Sequence, residues 1–385
     1  MPKKEPIIVF SHLRWDFVYQ RPQHLLSRLA KERDIYFIEE PLPSKSKVAK
    51  LRRSQPGRGV SVFTPSLPVS GIPFGDEQVP LLIPLVKQLV ASEKLERYVV
   101  WLYTPMALPL ALALEPVGIV YDCMDALASF KDAPPKLLER EALLLEHADV
   151  VFTGGPSLYR AKLGKHSNLH CFSSSVDTTH FAAAQNVKEA KDQLVISHPR
   201  LGFFGVIDER MDLKLLDDVA KARPDWQIIM VGPVVKIDPE SLPKRDNIHY
   251  VGQRTYADLP SYLAGWDVCL LPFALNESTR YISPTKTLEY MAAGLPIVST
   301  PITDVAEPYA DIVQIASTSE EFVAACERAL ALSKSEIEEM KRVYNKVLSQ
   351  TSWDRTAESM SELIDAVVEM KQARHHMTKN VLSVR

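Results

Sequence analysis

The chain has 385 residues, of which 46% are hydrophobic and 24% charged, a composition typical of soluble globular proteins. This length exceeds what one hydrophobic core usually supports, so we expect two domains. The net charge of −3 argues against a dedicated nucleic-acid-binding protein, which would carry a strong basic excess. The sequence shows neither a signal peptide nor an apolar run near the roughly 20 residues that span a bilayer. With four cysteines that lack metal-ligand spacing, these features predict a cytoplasmic protein with reduced thiols.

Strands and helices alternate through the first half of the chain. Continuous apolar strands separated by helical patterns predict a parallel sheet that is covered on both faces. The predicted strands are Pro6–Phe10, Asp34–Ile38, Val60–Phe63, Tyr98–Tyr103, Gly118–Tyr121 and Val150–Thr153. The predicted helices are Pro22–Glu32, Met106–Leu114, Pro135–His147 and Pro156–Leu163.

Polar and aromatic residues follow the first strand, in Ser11–Asp16 and again in Arg21–His24. Loops at the carboxyl edge of a parallel sheet commonly carry function, so this region predicts an acceptor-binding surface. The candidates are His12 for catalysis and Arg14, Arg21 and His24 for acceptor binding. A hydrogen-bonded structural role remains the alternative for a histidine in such a loop.

The segment Pro41–Ile72 is rich in proline, serine and lysine, and we expect it to leave the sheet. No Asp or Glu occurs between Pro41 and Gly75. Such a patch attracts anionic phosphates or a membrane surface, at about 1 kcal/mol per basic residue near the surface. Peripheral contact with the inner face of the membrane and a solvated loop both remain open. The cations of this segment are Lys45, Lys47, Lys50, Arg52, Arg53 and Arg58.

Two carboxylates, Asp122 and Asp125, leave the end of the predicted strand Gly118–Tyr121. Carboxylates at a strand end are suited to general-base catalysis or to binding acceptor hydroxyls. Both residues are therefore catalytic candidates, with capping of local turns as the alternative.

A second alternating series follows a polar segment, Ser173–Phe181, and a charged connection, Ala182–His198. It predicts a second parallel sheet, and we divide the chain into residues 1–180, 181–352 and 353–385. The predicted strands are Arg200–Phe204, Trp226–Val231, Ile248–Val251, Val268–Leu271, Pro296–Ser299 and Ile312–Ile315. The predicted helices are Leu213–Ala222, Tyr256–Ala264, Pro284–Ala293, Ser319–Ala331, Lys334–Leu348 and Trp353–Gln372, with a frayed tail from Ala373.

The strongest chemical signal lies in Asn276–Thr300. Ser283 followed by Pro284 predicts a helix start with a hydroxyl cap and proline at the first helical position. Free N–H groups and the helix dipole favour an anion there, and Lys286 adds a positive charge. Glu289, one turn further, can accept hydrogen bonds from a ribose diol. A surface pair of Lys286 with Glu289 is the structural alternative.

A second loop at the same sheet edge follows the predicted strand that ends at Phe204. Gly205 permits close approach of a ligand to the backbone, and Arg210 is placed to contact a diphosphate. A solvent-facing arginine at a helix start is the alternative interpretation of Arg210.

The runs SPTKTLEYMAAGLPIVST, SSSVDTTHF and FFGVIDER together resemble the signature of the family-4 (group 1) glycosyltransferases. This resemblance implies the α/β GT-B fold: two Rossmann-like domains face each other across a cleft, and a last helix returns to the first domain. It also implies a nucleotide-diphosphate sugar donor, with Glu289 on the ribose and Lys286 or Arg210 on the diphosphate. Family members carry a glutamate where this chain has Tyr281; the nearest acid, Glu277, becomes the candidate contact to the donor sugar.

The predicted function is transfer of a sugar from a UDP- or GDP-sugar to a glycan or lipid-linked acceptor, in bacterial surface polysaccharide synthesis. The donor candidates, including Ser283, come from the second domain. Neither a metal nor a cofactor is expected, and the resemblance implies a retaining reaction, although a true base at Asp122 or Asp125 would indicate inversion. A nucleotide-sugar epimerase or phosphorylase of the same fold and a non-catalytic nucleotide- or glycan-binding protein are the alternatives.

Overall fold

The computed structural model describes residues 3–383 and the side chains of residues 3–374. Its first sheet has the strand order β3-β5-β2-β1-β6-β7-β8-β9, with β4 paired to the outer side of β5. All of these pairings are parallel except that of β4 with β5. The strands are β1 (Ile7–Phe10), β2 (Ile35–Ile38), β3 (Leu42–Pro43), β4 (Lys50–Gly57), β5 (Val60–Leu67), β6 (Val99–Leu102), β7 (Gly118–Cys123), β8 (Val150–Thr153) and β9 (Leu169–Cys171).

Helices cover both faces of the first sheet, and one hydrophobic cluster lies on each face. Apolar side chains alternate between the two clusters along a strand: Ile8 belongs to one and Val9 to the other. The helices that follow these strands are α1 (Arg21–Leu29), α2 (Val79–Ser92), α3 (Leu108–Leu114), α4 (Leu137–His147) and α5 (Pro156–Lys162).

The second sheet is parallel, with the order β12-β11-β10-β13-β14-β15. It has its own hydrophobic cluster, which extends from Val176 to Leu348. The strands are β10 (Arg200–Phe204), β11 (Gln227–Val231), β12 (Ile248–Gly252), β13 (Val268–Leu271), β14 (Ile297–Ser299) and β15 (Gln314–Ile315). The helices are α6 (Thr178–Ala182), α7 (Leu213–Ala222), α8 (Leu259–Leu263), α9 (Thr285–Ala293), α10 (Thr303–Tyr309), α11 (Ser319–Leu330) and α12 (Lys334–Leu348).

Both sheets reverse their strand order once, between β1 and β6 in the first and between β10 and β13 in the second. Ligands of open parallel sheets bind at such reversals, beyond the carboxyl ends of the strands. The loops that follow β1 and β10 therefore mark the expected binding edge of each half.

The last helix, α13 (Trp353–Ser383), returns to the first half and packs against α1, β7 and β8. Its apolar side chains, among them Trp353 and Met360, join the same cluster as Val9 and Leu25. An ion pair between buried Arg33 and half-buried Asp365 reinforces this contact, with Arg33 Nη2 2.7 Å from Asp365 Oδ1. The predicted two-sheet α/β fold with a returning helix is confirmed, while the division at residues 180 and 352 stays a prediction about independent folding.

The prediction that Pro41–Ile72 leaves the sheet was wrong. This segment contains β3, β4 and β5, and β4 forms an antiparallel hairpin with β5 at the edge of the sheet. Its composition hid the strand because five of the eight residues of β4 are polar or charged, and only Leu51 packs on the core. Polar, cationic residues are common on edge strands, where they discourage pairing with other chains.

One helix was not predicted, and the end of another differs from the prediction. The apolar, proline-containing run after Gln78 forms α2, with one proline in the first turn and Pro84 inside the helix. Helix α13 continues to Ser383, beyond the predicted end at Gln372. Within the described part of the chain, no helix is long and apolar enough to cross a bilayer.

Candidate functional site

A cavity of about 760 Å³ lies between the two halves of the chain. Its walls are the loops after β1 and β7 on one side, and the loops after β10, β11 and β12 with the start of α9 on the other. The cavity thus occupies the edge at which both sheets reverse their strand order.

Helix α9 begins one residue later than predicted. Pro284 is the N-cap, since its ψ of 118° is extended, and no side chain caps the helix. Ser283 lies before the cap, where its side chain faces Gly155 of the first half, so the predicted serine cap was wrong. Ser283, Pro284 and Thr285 nevertheless line the cavity. A helix start without a side-chain cap leaves N–H groups available to an anion.

Lys286 extends over the loop that follows β10. Its ammonium lies 5.6 Å from the centre of the Phe203 ring, and a Cβ added to Gly205 would come within 2.7 Å of its Nζ. Gly205 has a φ of +138°, so the backbone conformation and the lysine both require glycine. Burial and the nearby charge of Arg210 lower the pKa of Lys286. Among the described residues, no carboxylate forms an ion pair with this lysine.

Glu289 lies one turn along α9 and is 8% exposed. Burial raises the pKa of its carboxyl to about 7, against the opposing effects of Lys286 and a hydrogen bond with Thr285. Helix α9 therefore presents free N–H groups, a cation and a carboxylate to one cavity, in the order that the sequence predicted.

Arg210 lines the cavity but is already paired. Its Nε and Nη2 donate to the two carboxylate oxygens of Asp208, at 2.9 and 2.7 Å. Its guanidinium also lies 5.5 Å from the ring centre of Phe130, in the first half of the chain. Asp208 thus offsets much of the charge that Arg210 would offer to a diphosphate, and sequence reasoning missed this acid.

Glu277 lies outside the cavity. Its side chain is 76% exposed and pairs with Arg280 at 3.6 Å. Tyr281 instead packs against the core of the first half. The structure does not bring Glu277 together with the other donor candidates.

The two candidate carboxylates, Asp122 inside β7 and Asp125 just after it, have different surroundings. Asp122 is fully buried, and its two oxygens accept hydrogen bonds from Arg21 Nε and Nη2 at 3.0 and 2.9 Å. Arg21 Nη1 donates to the carbonyl of Phe172 at 2.7 Å. The donors of Arg21 are thus used inside the protein, although the residue forms part of the cavity wall. Asp122 itself does not line the cavity.

Asp125 lines the cavity, and none of the described residues donates a hydrogen bond to its carboxylate. Burial raises its pKa to about 6, whereas the charges of Arg210 and Arg21 act in the opposite direction. Of the two acids, Asp125 is the one that the structure places where an acceptor hydroxyl could reach it.

The other candidates of the first half lie outside the cavity. Burial and the charge of Lys236 lower the pKa of His12 to about 4, so its ring is neutral at pH 7. Arg14 pairs with Glu39 at 3.3 Å. His24 stacks on Trp353 with 4.8 Å between ring centres, and burial lowers its pKa to about 3. These contacts give His24 a structural role between α1 and α13.

Known proteins resemble this chain in sequence and in fold. Residues 198–331 match the family described as glycosyl transferases group 1. The chain is 26% identical over 286 residues to the putative teichuronic acid biosynthesis glycosyltransferase TuaH of Bacillus subtilis (strain 168), covering 68% of this chain and 71% of the relative.

Solved structures resemble the whole chain. A sucrose-phosphate synthase from Thermosynechococcus elongatus superimposes with a TM-score of 0.73 at 16% identity, over 95% of this chain and all of that one (100%). The trehalose-6-phosphate protein from E. coli bound with UDP-2-fluoro glucose superimposes with a TM-score of 0.68 at 12% identity. The match covers 93% of this chain and 99% of that one. Anabaena HepE in complex with UDP and glucose superimposes with a TM-score of 0.66 at 15% identity. The match covers 94% of this chain and 100% of that one.

The protein is a GT-B glycosyltransferase. In this glycosyltransferase, sequence reasoning also missed the part of the cavity wall that residues 17–20 and 253–256 form. The available signal was the alternation of Trp15, Phe17 and Tyr19 in a loop. Trp15 packs on Phe37 of the sheet, whereas Phe17 and Tyr19 remain exposed.

Proposed function

We propose that this glycosyltransferase moves a sugar from a UDP- or GDP-sugar to a hydroxyl of a glycan or lipid-linked acceptor, in the synthesis of a bacterial cell-surface polysaccharide. The observation that carries the proposal is the position of α9, whose uncapped start, Lys286 and Glu289 face a cavity between the two halves. The name of the Bacillus subtilis relative supports a polysaccharide product, and UDP in the Anabaena structure supports a nucleotide donor.

The donor would lie along α9. Its diphosphate would accept hydrogen bonds from the first N–H groups of the helix and be neutralised by Lys286. The ribose hydroxyls would donate to Glu289, which is an acceptor when ionised. Since the helix and the lysine stabilise the leaving diphosphate, we propose that transfer needs neither a metal ion nor a cofactor. Unchanged turnover in EDTA is the expected result, and a loss that Mg²⁺ or Mn²⁺ restores would contradict it.

The acceptor would enter from the first half and place its hydroxyl against Asp125. We propose retention of the anomeric configuration, with the leaving diphosphate taking the proton of the hydroxyl and Asp125 holding that hydroxyl by a hydrogen bond. Asp125→Asn keeps a hydrogen-bond acceptor, so we expect kcat to fall by about tenfold or less. Loss of a general base would instead lower kcat by a factor of about 10² to 10⁴. A loss in that range, with an inverted product by NMR, would show that Asp125 is the base of an inverting enzyme.

The direct test is an activity assay with a panel of UDP- and GDP-sugars and bacterial-type polysaccharide acceptors. We expect release of the nucleoside diphosphate together with a mass increase of the acceptor by one sugar. Conversion of the nucleotide sugar without any acceptor would indicate an epimerase instead. Binding without turnover of any donor would indicate a non-catalytic binding protein.

We further propose that Lys45–Arg58 contacts an anionic membrane surface, which would place the enzyme at the inner face of the membrane. Lys47, Lys50 and Arg52 are exposed and form no ion pair with any described residue, whereas Arg53 pairs with Glu93 at 2.8 Å. Cosedimentation with phosphatidylglycerol vesicles, and not with phosphatidylcholine vesicles, is expected. The double variant Lys47→Glu/Lys50→Glu should abolish it, and a wild-type protein that stays in solution would refute the contact.

A further inference from the structure

The loop between β1 and α1, residues 15–20, lines the cavity along its whole length. Its start is fixed to the first half: the Trp15 ring is buried 5.1 Å from that of Phe37, and the backbone N–H of Trp15 donates to the Glu39 carboxylate at 2.8 Å. Gln23 Nε2 donates to the carbonyls of Trp15 and Val18, at 2.6 and 3.1 Å. The loop therefore has a defined position from which its other side chains project.

Two of those side chains are exposed aromatic rings. Phe17 is 37% and Tyr19 40% exposed, and they are the aromatic residues among the exposed large hydrophobic side chains of the described residues. Rings of this size usually bury most of their area, and in a concave site exposed apolar surface marks a ligand contact. Both rings belong to the same cavity as Lys286 and Glu289.

The loop also reaches the second half of the chain. Gln253 Nε2 donates to the carbonyl of Phe17 at 2.5 Å, and the rings of Tyr19 and Tyr256 lie 4.6 Å apart. His180 stacks on Tyr256 at 4.1 Å, so other side chains already contact this ring. The Tyr256 hydroxyl is buried without a hydrogen-bond partner in the described part of the chain.

The order of groups on α9 fixes the direction of a bound nucleotide. If the diphosphate lies at the helix start and the ribose at Glu289, the base extends beyond Glu289, away from Lys286. Tyr256 and the loop 15–20 line the cavity with Glu289. Tyr256 is near enough to both Glu289 and Tyr19 that, after burial, their charges add to the rise in the pKa of its hydroxyl.

We infer that Phe17 and Tyr19 contact the nucleoside of the donor, so that the first half of the chain supplies one wall of the nucleoside site. This inference rests on the proposed nucleotide-sugar donor and adds to it a binding role for the half that faces the acceptor. Base recognition then depends on both halves at once, and a nucleotide joins the loop 15–20 to residues 253–256.

Calorimetry on the full chain with two probes, UDP and inorganic pyrophosphate, tests this role. Phe17→Ala and Tyr19→Ala should each weaken UDP binding by about tenfold, the usual scale for the loss of an aromatic ring from a base. Pyrophosphate has no nucleoside, so its affinity should not change. Tyr19→Phe keeps the ring and should bind UDP like the wild type. Leu275→Ala, at an exposed residue (61%) outside the cavity, is the matched control.

Wild-type UDP affinity in both alanine variants would overturn the inference while leaving the proposed function intact. Equal weakening of UDP and pyrophosphate would also overturn it, because it would show that the loop acts on the diphosphate end or on the fold. Should UDP prove too weak a ligand, GDP replaces it in the same series. A wild-type protein that binds neither nucleotide would refute the proposed function, and this inference with it.

Discussion

The two walls of the cavity use their charged residues in opposite ways. In the second half, Lys286 and Glu289 line the cavity, and neither forms an ion pair with a described residue. In the first half, Arg21 lines the cavity and Asp122 lies behind it. Both are buried, and Arg21 directs its donors to the Asp122 carboxylate and to the carbonyl of Phe172. A buried charge without a partner costs stability, so its retention suggests a ligand, whereas a paired one holds the fold. The comparison separates the proposed donor-binding residues from structural ones around a single cavity.

The largest expected effect is on stability, from Asp122→Asn. The substitution leaves the Arg21 guanidinium buried without its counter-charge, so we expect the free energy of unfolding to fall by about 3 to 5 kcal/mol. Urea unfolding at pH 7 measures it. Asp225→Asn is the matched control, because Asp225 also pairs with an arginine, Arg223 at 2.8 Å, but is 58% exposed. Exposed ion pairs contribute about 1 kcal/mol or less to the free energy of unfolding. Equal losses in Asp122→Asn and Asp225→Asn would therefore contradict a structural role for the buried pair.

Lys286→Ala should have the largest effect on binding. Charge-assisted contacts to a diphosphate contribute about 1.5 to 3 kcal/mol, so UDP affinity should fall by about 10- to 100-fold in calorimetry. The melting temperature should not fall, because the lysine is desolvated without an ion pair. Lys214→Ala is the control: this lysine is 84% exposed, on α7, and pairs with Asp218 at 2.6 Å. If Lys286→Ala bound UDP with wild-type affinity, the diphosphate would not bind at the start of α9.

Glu289→Gln should change both the stability of the protein and its affinity for UDP, and both effects should depend on pH. The folded protein raises the pKa of this carboxyl to about 7 from 4.5, so the folded state holds the proton more tightly than the unfolded state. Stability therefore falls as pH rises from about 4.5 to 7, and the variant lacks this loss. The variant should melt at a higher temperature than the wild type at pH 8, with a smaller difference at pH 5.

The same substitution should act on the nucleotide in the opposite direction. The ionised carboxylate accepts from two hydroxyls and the amide from fewer, so UDP affinity at pH 8 should fall by about tenfold. This advantage of the wild type should shrink below pH 7 as Glu289 takes up its proton. A stability difference that does not depend on pH, or tighter UDP binding by the variant, would show that Glu289 is a structural residue.

The sequence was sufficient for the features that depend on local pattern. Alternating apolar strands and helices predicted both sheets, and the spacing from Ser283 to Glu289 predicted the charged face of α9. The pairing of Arg21 with Asp122 joins residues that are 101 positions apart, which no local pattern reveals. For the same reason, the sequence did not distinguish Asp122 from Asp125, three residues later. Strand β4 was missed because its pairing with β5 stabilises it as a strand, whereas its own polar side chains show no strand pattern.

The smallest expected effect is that of Glu277→Gln, which the sequence placed at the donor sugar. Its carboxylate is 76% exposed and its contact with Arg280 is 3.6 Å long, so we expect no measurable change in stability. The KM for the donor should change by less than about twofold, because Glu277 does not line the cavity. An increase beyond tenfold would require the loop Asn276–Tyr281 to move onto the sugar when the donor binds. Tyr281 packs against the first half, so such a movement would also have to break that contact between the two halves.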